Sequence, residues 1–365
     1  STAGVLALTA VVWPLSLLGL FARATGLDAT RASETDRVHR RQRTCAVAAV
    51  LALSAAVVGF PLLPMTALAV WPYALSVAGL PGVLVLYDQL RQETASWRLR
   101  LTLVLLTLAS AGGVVAAHGT GLFNLAVLSP PFLVNLLVSR WRRCAARRGG
   151  RALLVAGAVA SVLVLAVGAW VMRASLASVL GYQRPAGGVG GIVATLGQAL
   201  IDLPMYGAVP GASLPVGIVF GGLTLAAAWS ARAHRDQRPW LVMWLLSLLL
   251  VVLVGGPQWA GRQLGAPWYL QKARILPLVI LPALVLMVQA GAGRPGRRLW
   301  GLLRRLASRG GGARPQRAAV AMLAALVLLP VVARVPLERN LVASVYDPQR
   351  IKYGTLLTED ALALI

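Results

Sequence analysis

The stretch LTLVLLTLASAGGVVAAHGTGLFNLAVLSPPFLVNLLVS, residues 101–139, contains no Asp, Glu, Lys or Arg, and Arg140-Trp141-Arg142-Arg143 follows it directly. A helix that crosses the hydrocarbon core of a bilayer needs about 20 apolar residues. The run is long enough for two such helices, and His118-Gly119-Thr120-Gly121 at its middle marks the turn of a hairpin. It shows no period-two alternation, which argues against a transmembrane β-barrel.

The same pattern repeats outward in both directions. Further charge-free runs cover 1–22, 44–87, 152–172, 203–231, 239–261, 275–293 and 318–333. The run 44–87 is a second hairpin, with its turn expected at Phe60-Pro61-Leu62-Leu63-Pro64. Across the chain 58% of residues are hydrophobic and 13% charged, and mean hydropathy is +0.74. A soluble domain carries about a quarter charged residues. The fold class is therefore an all-α integral membrane protein of about ten transmembrane helices.

The net charge of +24 raises the question of nucleic acid, and the placement of the charge answers it. The short loops 23–43, 91–100, 140–151, 232–238 and 294–317 hold 26 of the 35 Lys and Arg. Every second loop is basic, which is the positive-inside pattern of a protein in the cell membrane. Anionic membrane lipid is the natural counter-charge, and no nucleic-acid partner is expected. Cys45 and Cys144 have neither metal-ligand nor disulfide-framework spacing. Segment 1–22 lacks the basic start and cleavage site of a signal peptide.

Loop charge sets the order of spans: 4–22, two within 45–87, two within 101–139, then 152–172, 213–230, 240–255, 274–291 and 318–333. Segment 185–201 is apolar, but an even number of crossings must separate the basic loops 140–151 and 232–238. It is therefore expected to lie on or re-enter the membrane from outside, where it walls a site. Trp97, Trp141, Trp170, Trp229, Trp240 and Trp268 fall near span ends, as an aromatic belt does. Residues 1–334 form the transmembrane domain, and 335–365 are an extracytoplasmic segment. The chain is expected to be a fragment: a span precedes Ser1, and Thr358, Glu359 and Asp360 open a helix of a continuing external domain.

No ionisable residue is expected near the middle of a span, which disfavours an ion-coupled transporter. Polar groups instead gather on the external side: His118 and Asn124, then Tyr182, Arg184, Asp202 and Tyr206, then Trp259, Arg262, Trp268, Tyr269, Lys272 and Arg274. Cations that neutralise a lipid phosphate and an acid that activates a hydroxyl are the parts an outer-face transferase needs. The bland alternative is a set of interfacial anchors. The glycine pattern Gly291-Ala292-Gly293-Arg294-Pro295-Gly296 follows a span and is broken by Pro295, so it is no dinucleotide fingerprint. Gly187 to Gly191 reads as a flexible loop or, less commonly, an anion-binding nest. No cofactor or metal site is expected.

Trp268-Tyr269-Leu270-Gln271-Lys272-Ala273-Arg274 resembles the Trp-Tyr-Asn-Asp-x-x-Arg signature of a family of large, uncharacterised membrane proteins from high-GC Gram-positive bacteria. Val70-Trp71-Pro72-Tyr73 and His118 are similar to that family as well, and Leu270 and Gln271 stand where it has Asn and Asp. The family in turn resembles GT-C glycosyltransferases. That resemblance implies transfer of sugar from a polyprenyl-phosphate-linked donor to a glycan or lipid acceptor at the outer face, in cell-envelope assembly. It implies Arg184, Lys272 and Arg274 on the phosphate with His118 nearby, Trp268 and Tyr269 stacking on sugar or prenyl chain, and Asp202 as an auxiliary acid. The main catalytic acid of GT-C enzymes lies in a loop that would precede Ser1. A lipid or polysaccharide flippase or transporter, and a non-catalytic scaffold, are the alternatives.

Overall fold

A computed structural model describes residues 2–27, 34–66, 70–92, 96–144, 173–203, 213–309 and 315–346, with scattered residues between 152 and 170. Every regular element among them is helical. In chain order they are α1 (Thr2–Thr25), α2 (Glu34–Ser54), α3 (Val58–Met65), α4 (Trp71–Gln92), α5 (Trp97–Ala117), α6 (Thr120–Leu128) and α7 (Pro130–Cys144). Then come α8 (Arg173–Leu180), α9 (Gly190–Leu200), α10 (Ser213–Ala231), α11 (Arg238–Gly255), a 3-10 helix (Ala260–Trp268), α12 (Lys272–Ala292), α13 (Arg294–Arg309) and α14 (Pro315–Tyr346).

Among the described residues seven helices are long and apolar enough to cross a bilayer, and the number is nine with each of the bent pairs α2–α3 and α6–α7 taken as one span. These nine coincide with nine of the ten expected spans. The tenth, at 152–172, lies largely outside the described residues, as do Tyr206 and the helix start at Thr358. One expected turn is corrected. Phe60 has extended backbone that breaks α3, which lies bent 46° from α2, and helical structure resumes through Pro64 to end only at Met65. The turn at His118 is where it was expected, because α5 ends at Ala117 and α6 begins at Thr120. The α9 helix has 11 residues, about 16 Å of rise, too short to cross the core.

The α12 helix is the centre of the bundle. Residues 275–289 are buried on every face, so this helix meets protein all round. It packs between α11 and α10 on one side and α1 and α2 on the other, while α4 and α5 extend the bundle beyond α1. Pro277 and Pro282 leave backbone carbonyls without helical donors, a cost that a helix enclosed by protein tolerates. Of the expected aromatic belt, Trp97, Trp170 and Trp229 are exposed and carry Arg98, Arg173 and Arg232 over their rings. Trp240 and Trp268 are not belt residues: both are buried, Trp240 against Phe132 and Trp268 against Phe123.

Among the described residues, one charged pair is fully buried. Arg334, on the unbroken α14, is 1% exposed and donates to Asp202 Oδ2 at 2.7 Å. The same guanidinium donates to the carbonyls of Ala56, Ile201 and Asp202. Asp202 also accepts from the amides of Val58 (2.8 Å) and Gly59 (2.9 Å), the first-turn donors of α3 that have no helical partner. The pair thus satisfies both sides of the break between α2 and α3. Arg334 lies one residue beyond the expected span 318–333, and α14 continues through it past Glu338 and Arg339 to Tyr346.

Candidate functional site

The site is built where α11 ends. Arg262, in the 3-10 helix, is 2% exposed, and its guanidinium donates to Val254 O (3.1 Å), Arg184 O (2.7 Å), Pro185 O (2.8 Å) and Gln258 Oε1 (2.9 Å). All four acceptors are neutral. Burial first and the Arg184 charge second pull this guanidinium below the ordinary arginine value. Its bonds tie the extended segment before α9 to the end of α11. Gly187 N adds a bond to Gly256 O at 3.1 Å. A Cβ at Gly187 or Gly191 would lie 2.4 or 2.3 Å from Gly255 O, so these glycines serve close backbone approach rather than a flexible loop.

This arrangement borders an open cavity of about 230 Å³ lined by Arg184, Arg262, Gln271 and Lys272 and by Gly187 and Gly255. Among the described residues no carboxylate lines it. The Lys272 ammonium reaches Gln198 Oε1 on α9 at 3.4 Å, a long bond to a neutral partner. The Arg184 charge bears on Arg262 and burial disfavours the Lys272 charge, so a bound anion would relieve both.

The turn into α12 presents these groups. Tyr269 and Leu270 have φ of 56° and 51°, a left-handed pair outside glycine's usual preserve. Amide bonds from Tyr269 to Ala266 O and from Leu270 to Gly265 O hold it. The turn sets Tyr269 edge-on to Tyr182, at 5.4 Å between ring centroids, and under the Arg274 guanidinium at 4.6 Å. Arg274 Nε donates to Gln271 Oε1 at 2.7 Å, so Arg274 adjoins the cavity through a side chain that lines it.

The remaining expected site residues fall elsewhere. Trp268 is buried, and its Nε1 donates to Asn124 Oδ1 at 2.8 Å, which anchors the 3-10 helix to α6. His118 Nδ1 accepts from Thr120 N at 3.2 Å, and its ring meets Tyr73 edge-on at 5.5 Å. The Tyr73 hydroxyl donates to the Arg274 carbonyl, linking this corner to the start of α12. Burial first and the Arg274 charge second push the His118 imidazole below its usual value. Asp202 does not line the cavity, and its carboxylate is engaged by Arg334 and two amides.

Arg184 and Lys272 therefore share a cavity, Arg274 and Tyr269 adjoin it, and His118, Trp268 and Asp202 hold the surrounding frame. Arg262 and Gln271 complete the lining. In the sequence Arg262 stood among the external polar groups between Trp259 and Arg274, but nothing local distinguished it from an exposed anchor. Among the described residues no three His, Cys, Asp or Glu side chains come together to hold a metal.

No curated protein and no solved structure matches the chain. A family model does, over residues 1–365, and the chain belongs to that family of unknown function, DUF6541.

Proposed function

We propose that this protein is a GT-C-like membrane glycosyltransferase of the cell envelope, and that the cavity between Arg184, Arg262 and Lys272 receives the phosphate of a polyprenyl-phosphate-linked sugar. The observation that carries the reading is three cations and no carboxylate around one cavity among apolar helices. A phosphate taken from water toward lipid is costly unless cations pair with it. In the transfer, an acceptor hydroxyl attacks the sugar's anomeric carbon and the bond to the phosphate oxygen breaks. The electron pair departs with polyprenyl phosphate, where the cations stabilise the added charge. The hydroxyl proton must pass to a base other than Asp202, whose buried carboxylate is tied to Arg334. The choice of sugar transfer among phosphate-lipid functions rests on the resemblance of residues 268–274.

The basic loops face the cytoplasm and the cavity faces outward in this proposal. A cysteine at Gly149 then resists an impermeant thiol reagent in intact cells, and labelling there overturns the orientation. The functional test uses the full chain in nanodiscs with polyprenyl phosphate, followed by native mass spectrometry. The double variant Arg184→Gln/Lys272→Gln is expected to bind at least about tenfold more weakly, as loss of two charge-assisted contacts entails. Unchanged affinity refutes the phosphate site. Cavity-dependent binding without sugar transfer from a polyprenyl-phosphate donor favours the flippase alternative.

A further inference from the structure

The α13 helix follows the central span after one residue, Gly293, and is followed by the span α14. Its two ends are thus held at the level where neighbouring spans leave the membrane. The helix carries no acid and is divided lengthwise by chemistry. At about 100° per residue, Leu303, Ala307 and Trp300 share one arc. Leu303 and Ala307 are buried there, 6% and 8% exposed, where α13 packs on α14, α12 and α2. Leu299, Leu302 and Leu306 share the next arc, about 60° wide, and are 48%, 54% and 51% exposed. Arg294, Arg297, Arg298, Arg304 and Arg305 occupy the opposite half and are all exposed.

We infer that α13 is an interfacial helix that binds the anionic headgroups of the membrane surface. One apolar arc seats it on the bundle, and the second, open arc of three leucines enters the acyl boundary. The arginines stand at headgroup level, where anionic lipid supplies their counter-charge. The occupant is set by position, since a helix held at span ends with leucines open on one side meets lipid there. This inference is independent of the cationic cavity.

The test uses the full chain with Cys45→Ser and Cys144→Ser, carrying one environment-sensitive thiol probe at Leu302→Cys or Ser308→Cys. Both positions are exposed, so neither probe replaces a buried contact. In vesicles of phosphatidylcholine with phosphatidylglycerol, lipids bearing a shallow quencher are expected to quench the probe at 302 several-fold more than that at 308. A variant with all five exposed arginines changed to Gln is expected to lose, several-fold, the enrichment of phosphatidylglycerol over phosphatidylcholine in lipid that copurifies with the parent chain. Equal quenching at both positions, or equal enrichment in parent and variant, overturns the inference. So does crosslinking of the 302 probe to a second copy, or shielding of 302 that requires added RNA rather than phosphatidylglycerol.

Discussion

Removal of Arg334 is the most demanding test of the bundle's interior. In Arg334→Met the side chain keeps an unbranched apolar stem but loses every donor. Asp202 keeps the amides of Val58 and Gly59 but becomes a buried carboxylate without a counter-charge, and the carbonyls of Ala56, Ile201 and Asp202 lose a donor. Breaking one partner of a buried pair costs about 3–5 kcal/mol, and at 1% exposure for both side chains little solvent screening reduces it. Asp202→Asn leaves the opposite imbalance, an unpaired guanidinium facing an amide donor, and is also expected to destabilise. The double variant leaves no charge from this pair in the interior. It should therefore cost less than the sum of the two, with a coupling of about 1–3 kcal/mol. Reversible unfolding in mixed micelles, followed by tryptophan fluorescence, measures all three. Single variants within about 0.5 kcal/mol of the parent, or strictly additive effects, would refute the claim that this pair holds α14 to the α2–α3 break.

Gly59→Ala places a methyl 2.4 Å from Ile280 Cδ1 and 2.7 Å from Leu276 Cγ, so the same unfolding assay should show a loss of about 1–3 kcal/mol from overpacking α3 against α12. Trp268→Phe leaves the Asn124 carbonyl oxygen without its donor in a buried site and is expected to cost about 1–3 kcal/mol, with Trp268→Phe/Asn124→Leu partly restoring the melting temperature. His118 has its folded value below the usual 6.5, so the unfolded chain binds more protons in that window. Stability attributable to His118 is then complete above the ordinary histidine value and declines as pH falls below it. His118→Gln should flatten that acid limb of a melting-temperature profile, and an identical limb in the variant would remove the assignment.

The helical spans were legible because a bilayer imposes a rule that each segment must satisfy alone: enough apolar residues in succession, with every backbone group bonded internally. Nine segments met that rule and became α1 to α7, α10 to α12 and α14, the bent pairs α2–α3 and α6–α7 each counting once, much as their charge-free runs implied. Which faces those spans turn to protein was not legible. Lys272–Ala292 and Arg317–Val342 have mean hydropathies of 2.3 and 2.4, yet 83% of the first window is buried and 11% of the second. Lipid tails and protein interior are equally apolar solvents, so composition does not separate a central helix from a peripheral one. Tertiary structure alone decided that Arg334 and Asp202, 132 positions apart, close one buried pair. It also decided that Arg184 and the pair Arg262 and Lys272, from two separate segments, line a single cavity. Electrostatic partnership depends on distance in space, and an isolated arginine reads the same at a lipid interface, in a core pair or beside a ligand.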